Sequence, residues 1–331
     1  MSSSDQETNI ASHHRYYPPG YTSHLLHTVL IFTDLLGRIH PLALTPAWLA
    51  LAAIACWPWG PFHLPVAVLS LAFTVADGTG LTLLPRLGRS FGPVTPVLLA
   101  LVLVHTVLTL VAGLISTTWP SLLLAASLHL AISGVFFYAT WIEPFRLGVT
   151  QAGFHSPKLN GPVPLRLLHI SDLHVERISA REDRLLRLVE ELDPDVIVIT
   201  GDYLNLSYVY DPSAQADAHD VLARICALAR GPVYATTGSP PVDRSDVVPA
   251  IFEDLPITWL LDAVAAIHVN GHTIRLAGLV CTRERHLDAP RLRRLLGGRP
   301  VHEFTLLLYH SPDLMPEAVE LGEVVLWTLS R

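Results

Sequence analysis

The stretch D-P-D-V-I-V-I-T-G-D, residues 193–202, decides the fold of the second half of this 331-residue chain. Its four consecutive β-branched residues, 196–199, predict a buried strand, and the Gly-Asp pair marks the end of that strand. Two further apolar runs have the same form: L-R-L-L-H-I at 165–170 leads into S-D-L-H, and F-T-L-L-L-Y at 304–309 leads into H-S-P-D. The sequence therefore predicts three strands that each end in a polar motif.

Segments with helical periodicity alternate with these strands, which predicts an α/β fold with a largely parallel, buried sheet. Predicted helices cover 179–192, 214–229, 289–296 and 313–321, and further strands cover 232–236 and 323–329. The dipeptide Asn270-Gly271 lies between two apolar runs and is the strongest short signal for a β-hairpin.

The first half of the chain has a different composition. Between Ile39 and Ile142 only Asp77, Arg86 and Arg89 carry a charge. Apolar stretches of about 20 residues match the hydrocarbon thickness of a bilayer. The predicted spans are 42–59, 64–84, 95–116 and 119–141. The predicted organisation is a polar tail with an interfacial helix at 25–36 (residues 1–40), a four-helix transmembrane region (41–142), a linker (143–164) and an α/β domain (165–331).

Basic residues fall at alternate ends of the predicted spans. Arg86 and Arg89 lie between the second and third spans, and Arg146 follows the fourth, whereas the connections at 60–63 and 117–118 carry no basic residue. By the positive-inside rule the soluble domain is predicted on the cytoplasmic side of a cell membrane, with the lipid bilayer as a partner.

Three polar side chains, Asp77, His105 and His129, fall inside the predicted spans. An ionisable residue at membrane depth suggests a functional role. Two histidines that face each other could ligate a haem or relay protons. The alternative is hydrogen bonding that holds the helices together. For Asp77, which is followed by Gly78, the alternative is an early helix end at the interface.

The overall composition excludes some functions. The formal net charge is −7 and no basic stripe is present, so nucleic-acid binding is not expected. The three cysteines form no C-x-x-C pair and give no disulfide framework.

The polar motifs of the second half predict a metal site. Asp172 and His174 are two residues apart, so in an extended chain both side chains point to one face. Carboxylate with imidazole is a ligand set for Mn, Fe or Zn ions. Asp202 is placed to bridge two metals, and His310 follows the last of the three strands. Taken singly, each residue has an ordinary interpretation as a helix cap, loop start or core histidine.

These motifs resemble the calcineurin-like metallophosphoesterase superfamily, in particular its membrane-attached bacterial phosphodiesterase-like branch. The resemblance runs from Leu165 onward and implies a four-layer β-sandwich flanked by helices, with one or two divalent metal ions. It implies a phosphate-ester substrate, hydrolysed as a monoester or a diester. It also implies Asp172 and His174 as ligands of the first metal, Asp202 as the bridging carboxylate and His310 as a ligand of the second metal.

Two departures from the family pattern lead us to expect impaired activity. Where the family has G-N-H-[DE], this chain has Gly238-Ser239-Pro240, so Ser239 is a weak candidate ligand and no catalytic residue is assigned at Pro240. The family's closing G-H-x-H motif is not found after the strand at 323–329. The domain is therefore expected to lack its C-terminal strands and to expose an edge at 323–329.

Two other histidines are interpreted as structural. Gly271-His272 resembles the start of the missing motif but belongs to the predicted hairpin turn. His169 is expected to face away from Asp172 because side chains alternate along a strand.

The leading hypothesis is thus a membrane-anchored, metal-dependent phosphoesterase. A catalytically inactive pseudoenzyme that acts as a membrane sensor or scaffold is the alternative, and a transporter-like role for Asp77, His105 and His129 is a third.

Overall fold

The computed structural model describes residues 39–90, 92–159, 161–297, 303–322 and 324–327. The chain divides into two compact units, with the main sequence boundary between Gly148 and Val149. The interfacial helix predicted at 25–36 lies outside the described residues.

The first unit is helical. Its helices are α1 (Thr45–Cys56), α2 (His63–Arg86), α3 (Val94–Ile115) and α4 (Trp119–Phe137). A short 3-10 segment, Trp57–Phe62, joins α1 to α2 and bends at Gly60, where φ is 53° and ψ is −119°. Helices therefore form in all four regions where spans are predicted.

Three helical stretches in the described part of the chain are long and apolar enough to cross a membrane, judged by length and composition. They are Leu42–Arg86, Val94–Ile115 and Trp119–Phe145. The predicted spans at 42–59 and 64–84 both fall in the first stretch. Since α1 has 12 residues, it is about 18 Å long, which is short of the roughly 30 Å hydrocarbon core.

Apolar side chains lie both inside and outside this bundle. One internal cluster surrounds Trp59, and its indole donates a hydrogen bond of 2.9 Å to the Thr109 carbonyl. Gly113 makes room for the ring, because a Cβ there would lie 2.6 Å from the indole nitrogen. Many large apolar residues on the outer surface are exposed, including Leu71, Val107, Leu123 and Leu130. Such an apolar exterior is compatible with a lipid environment.

The second unit contains two four-stranded sheets. The first has the order β1 (Leu167–Ile170), β2 (Val196–Ile199), β3 (Val233–Ala235) and β4 (Ile257–Trp259), with all pairs parallel. The second has the order β5 (Ala263–Val269), β6 (His272–Gly278), β7 (Phe304–Tyr309) and β8 (Val324–Trp327), in which only β5 and β6 are antiparallel. Asn270 and Gly271, both with positive φ, form the turn of the predicted hairpin.

Helices cover the outer faces of the two sheets. They are α5 (Ala180–Leu192), α6 (Pro212–Leu228), α7 (Val248–Ile251), α8 (Arg285–Leu296) and α9 (Met315–Glu320). Side chains of β2 point alternately to the two faces of the first sheet. Ile197 and Ile199 pack with Leu222 of α6 on the outer face, whereas Val196 and Val198 pack between the two sheets. On the far side, β6 and β7 pack against α8 and α9. The unit is a four-layer α/β/β/α sandwich.

Most predicted elements are present with small shifts in their bounds, but two short ones were not predicted. These are α7 and β4, which have four and three residues and are too short to show a periodicity. The helix predicted at 313–321 begins as a 3-10 turn, Pro312–Leu314, after which α9 follows. The predicted parallel sheet is divided into two sheets. In the described residues β8 is the last strand in its sheet, and the rest of the predicted 323–329 strand lies outside them.

Candidate metal centre

The candidate site lies where several strands of both sheets end. Asp172 follows β1, Asp202 follows β2, Ser239 follows β3 and His310 follows β7. Because β1, β2 and β3 are parallel, their carboxyl ends meet at the same edge of the first sheet. The loops after them carry the polar motifs of the sequence.

The structure brings together all four residues predicted as metal ligands. Asp172, Asp202 and His310 each offer one ligand atom, and these atoms lie within 4.8 Å of one another. His174 Nε2 is 3.7 Å from Asp172 Oδ1 and 3.5 Å from Asp202 Oδ2. His310 Nε2 is also 3.5 Å from Asp202 Oδ2. The Asp202 oxygen therefore lies between the two imidazoles.

These spacings fit ligands that surround a metal ion. Bonds of about 2.1 Å to nitrogen and oxygen in a tetrahedral arrangement put neighbouring ligand atoms about 3.4 Å apart. The distances of His174 and His310 from Asp202 are close to that value, and longer than an ordinary N–H···O hydrogen bond. Two carboxylates and two imidazoles are a donor set for Mn, Fe or Zn ions.

Hydrogen bonds at the back of the site orient its side chains. The Ser239 amide donates to Asp202 Oδ1 at 2.6 Å, which leaves Oδ2 facing the histidines. His310 Nδ1 is 2.8 Å from the Thr200 carbonyl, and His174 Nδ1 is 3.3 Å from the Leu204 carbonyl. Each imidazole therefore presents Nε2 to the site. In metal-binding histidines, a partner on the other ring nitrogen fixes the orientation of the ring in this way.

Ser239 also reaches the site through its side chain. Its Oγ lies 3.4 Å from Asp202 Oδ2 and 3.2 Å from His310 Nε2. Pro240, next in this loop, is buried and offers neither a ligand atom nor a proton.

The charges of Asp202 and His310 are mutually stabilised. Burial alone would raise the pKa of Asp202, but hydrogen bonding and the charge of His310 outweigh it and lower that pKa. Burial likewise opposes the charged form of His310, yet the contact with Asp202 raises its pKa to about 9. Without a metal, the two side chains thus form an ion pair at neutral pH.

Asp243 is a site residue for which the sequence predicted no role. It is buried and accepts hydrogen bonds from the amides of Asp202, Tyr203 and Gly238, at 2.8, 3.0 and 2.6 Å. Burial, together with the charge of Asp202, raises the pKa of Asp243 to about 7. The available signal was an acidic residue in the otherwise apolar Pro-Pro-Val segment after β3. Asp243 joins the loops after β2 and β3.

Close backbone contact between those loops depends on glycine. Gly201 has a φ of +95°, and a Cβ there would lie 2.0 Å from the Gly238 nitrogen. Asp172, His174 and Asp202 also have positive φ, of 54°, 42° and 56°. The prediction that Asp172 and His174 share a face of extended chain is therefore wrong, because the backbone after β1 is left-handed at both residues. Such strained backbone is concentrated at functional sites in proteins.

His169 was predicted to face away from Asp172. Alternation along β1 turns its ring to the inter-sheet side, the side of Leu167, whereas Leu168 and Ile170 pack on the opposite face. His169 Nε2 is 2.7 Å from Thr200 Oγ1. Burial is the largest effect on His169 and lowers its pKa to about 4. The charge of His310 also lowers this pKa, whereas the charge of Asp172 raises it. His169 is a neutral ring behind the site.

His272 is confirmed as part of the hairpin. Its Nδ1 accepts from the Gly161 amide at 3.0 Å, and its Nε2 donates to the Val163 carbonyl at 2.7 Å. Both ring nitrogens are thereby used away from the metal-site residues.

The three polar residues predicted within the spans also come together. Asp77, His105 and His129 are buried on α2, α3 and α4 and form consecutive contacts. The alternative of a helix end at Asp77 is wrong, because α2 continues to Arg86. Buried partners on two neighbouring helices satisfy the carboxylate there.

The fold is an α/β domain, and the donor set forms a candidate metal centre at the strand ends. Residues 165–239 match the family model described as Calcineurin-like phosphoesterase, a family that uses divalent metals. This segment contains Asp172, His174, Asp202 and Ser239.

A curated relative supports the same superfamily. The chain is 44% identical over 41 residues to "Uncharacterized metallophosphoesterase YkoQ" of Bacillus subtilis (strain 168). The matched segment is 12% of this chain and 15% of that protein, so the chain covers only a small part of the relative.

Proposed function

We propose that the α/β unit is a metal-dependent phosphoesterase that hydrolyses phosphate monoesters or diesters. The observation that supports this most directly is the cluster of Asp172, Asp202 and His310, with His174 at ligand spacing from both carboxylates. Asp172, His174 and Asp202 would hold a first metal ion, and Asp202 with His310 would contribute to a second.

A bound metal would supply Lewis acidity and a water of lowered pKa. The protein residues have positioning roles. Ser239 fixes one oxygen of Asp202, so that the other oxygen is held between His174 and His310. The carbonyl of Thr200 holds the His310 ring in the orientation that binding needs.

The Ser239-Pro240 pair sets the expected substrate preference. Proline cannot donate a proton to a leaving group, so esters whose leaving group departs without protonation are favoured. We expect aryl phosphodiesters to react faster than alkyl ones, and activity to be impaired relative to family members with histidine at this position.

The helical unit would anchor the enzyme in a cell membrane as a multi-pass bundle. Its exposed apolar surface and its three sufficiently long helical stretches support this. Arg86 is the last residue of α2 and Arg89 lies just after it, while Arg146 follows the stretch that contains α4. Since two helices separate these groups, they fall on the same side whether or not α1 crosses. The positive-inside rule makes that side cytoplasmic, which puts the α/β unit in the cytoplasm.

The test uses the full chain in detergent or lipid vesicles. Hydrolysis of bis-p-nitrophenyl phosphate is measured with added Mn²⁺, together with bound metal. Asp202→Asn should reduce turnover at least 100-fold, because the shared ligand loses its charge. Asp220→Asn, an exposed position on α6, is the matched control and should keep full activity. Equal activity of the two variants would overturn the proposal.

A second candidate is a pseudoenzyme that acts as a membrane sensor or scaffold, favoured by Pro240. It predicts a folded protein without turnover of bis-p-nitrophenyl phosphate.

A further inference from the structure

A chain of buried polar side chains connects three helices of the first unit. Asp77, His105 and His129 are 7%, 2% and 1% exposed. His105 Nε2 is 3.1 Å from Asp77 Oδ2, and His105 Nδ1 is 2.6 Å from His129 Nδ1. Thr109 Oγ1 lies 3.1 Å from His129 Nε2, and Ser133 donates to Asp77 Oδ2 at 3.1 Å. The series of polar contacts therefore extends beyond the histidine pair at both ends.

The surroundings of these polar side chains are apolar. Phe73 stacks against both imidazoles, with ring centroids 5.8 and 5.3 Å away. The charges that act on His129 come from His105 and Asp77. The other ionisable residues of the four helices and their connections lie toward helix ends: Cys56, His63, Arg86, Arg89 and Tyr138. The carboxylate and the two rings thus face one another in a medium of low dielectric constant.

The short contact between the rings restricts where protons can lie. Two ring nitrogens 2.6 Å apart require one hydrogen between them. His105 Nε2 must carry a hydrogen, since it faces a carboxylate oxygen. The remaining choice is at His129 Nε2, which either accepts from Thr109 or donates to it.

In the first arrangement both rings are neutral. His129 Nδ1–H donates to His105 Nδ1, and the Thr109 hydroxyl donates to His129 Nε2. Every polar atom of the rings has a partner, and the group carries the single negative charge of Asp77.

In the second arrangement the group holds one more proton. His129 Nε2–H now donates to Thr109 Oγ1, and the hydroxyl turns to the His105 carbonyl, 2.8 Å away on its own helix. The two rings share one positive charge, which Asp77 balances. Every ring nitrogen again has a partner, and only a hydroxyl has rotated. In this arrangement the negative charge of Asp77 is balanced within the group, so no uncompensated charge remains buried.

We propose that Asp77, His105 and His129 form a proton-binding site in the helical bundle, with Thr109 as the group that accommodates either state. The site takes up one proton per chain. Bonding that merely holds the helices together would instead leave both rings in one fixed tautomer.

The full chain, labelled with ¹⁵N-histidine and reconstituted in lipid vesicles, allows a direct test. Ring ¹⁵N shifts in solid-state NMR distinguish neutral from charged imidazole, and a difference spectrum against His129→Gln assigns the pair. We expect both rings to change together as pH is varied from 4 to 10, with a total gain of one proton. Fixed neutral rings throughout, or two independent uptakes, would overturn the proposal.

Two threonine variants test the role of Thr109. Thr109→Val should weaken proton binding at least tenfold, because the charged ring then lacks an acceptor. Thr106→Val is the matched control: its hydroxyl also donates to a carbonyl of α3, that of Val102 at 2.7 Å, but it belongs to no contact of the pair. Asp77→Asn should weaken binding further. Unchanged proton binding in Thr109→Val and Asp77→Asn would contradict the proposal, and the wild-type titration decides it if a variant does not fold.

Discussion

Asp243 is a buried carboxylate that connects two loops of the candidate site through backbone amides. Its three backbone partners come from the loops after β2 and β3, so both loops depend on it. Asp243→Ala leaves three buried amides without acceptors. We expect a loss of about 3 kcal/mol or more in the free energy of unfolding, since each unsatisfied buried group costs about 1–3 kcal/mol.

Thermal unfolding followed by circular dichroism measures this loss. Asp246→Ala is the control, because that side chain is exposed and contacts Arg244 at the surface. If both variants melt at the same temperature, Asp243 does not hold the loops.

His310 makes the stability of the metal-free protein depend on pH. Its pKa is raised from 6.5 to about 9 by Asp202. A group whose pKa is raised on folding stabilises fully below its unfolded pKa, and this stabilisation is lost as pH rises through the folded value. In the presence of a chelator, the melting temperature should therefore fall between about pH 6.5 and 9. His310→Gln should show a flatter profile over the same window, and an equally steep fall in that variant would contradict the assignment.

At the scale of elements, the contact between the loops after β2 and β3 depends on Gly201. A Cβ there meets the backbone of Gly238, which cannot move aside as a flexible side chain would. Gly201→Ala should displace the loops, lower metal content at least tenfold and reduce the melting temperature. A Cβ added at Gly153 would meet no atom within 4 Å, so Gly153→Ala is the control and should change neither quantity. Normal metal content in Gly201→Ala, measured by atomic emission, would show that the contact is dispensable.

The sequence predicted those elements whose patterns are local. The apolar run of β2 and the Asn270-Gly271 turn lie where they were predicted. The division into two sheets was not predicted from periodicity, because a buried strand has the same apolar pattern in either sheet. Within the site, Asp202 and His310 follow strands and were found, whereas Asp243 lies in a loop whose fold depends on contacts with distant amides.

At the scale of the whole molecule, the arginine positions predict an orientation in the membrane. Protease added to inside-out vesicles should cleave the α/β unit, while right-side-out vesicles should protect it until detergent is added. Extraction at alkaline pH should leave the chain in the membrane fraction, as expected for spanning helices. Cleavage in right-side-out vesicles alone would reverse the orientation.

The origin of His310 in the second sheet has a consequence for synthesis. The other three candidate ligands follow strands of the first sheet, while 110 residues separate His310 from its partner Thr200. Ribosomes add roughly 5–20 residues per second, so the earlier ligands wait about 5–20 s for the last one. If the proposed site binds metal, a site with all four ligands can therefore form only after β7 has been synthesised.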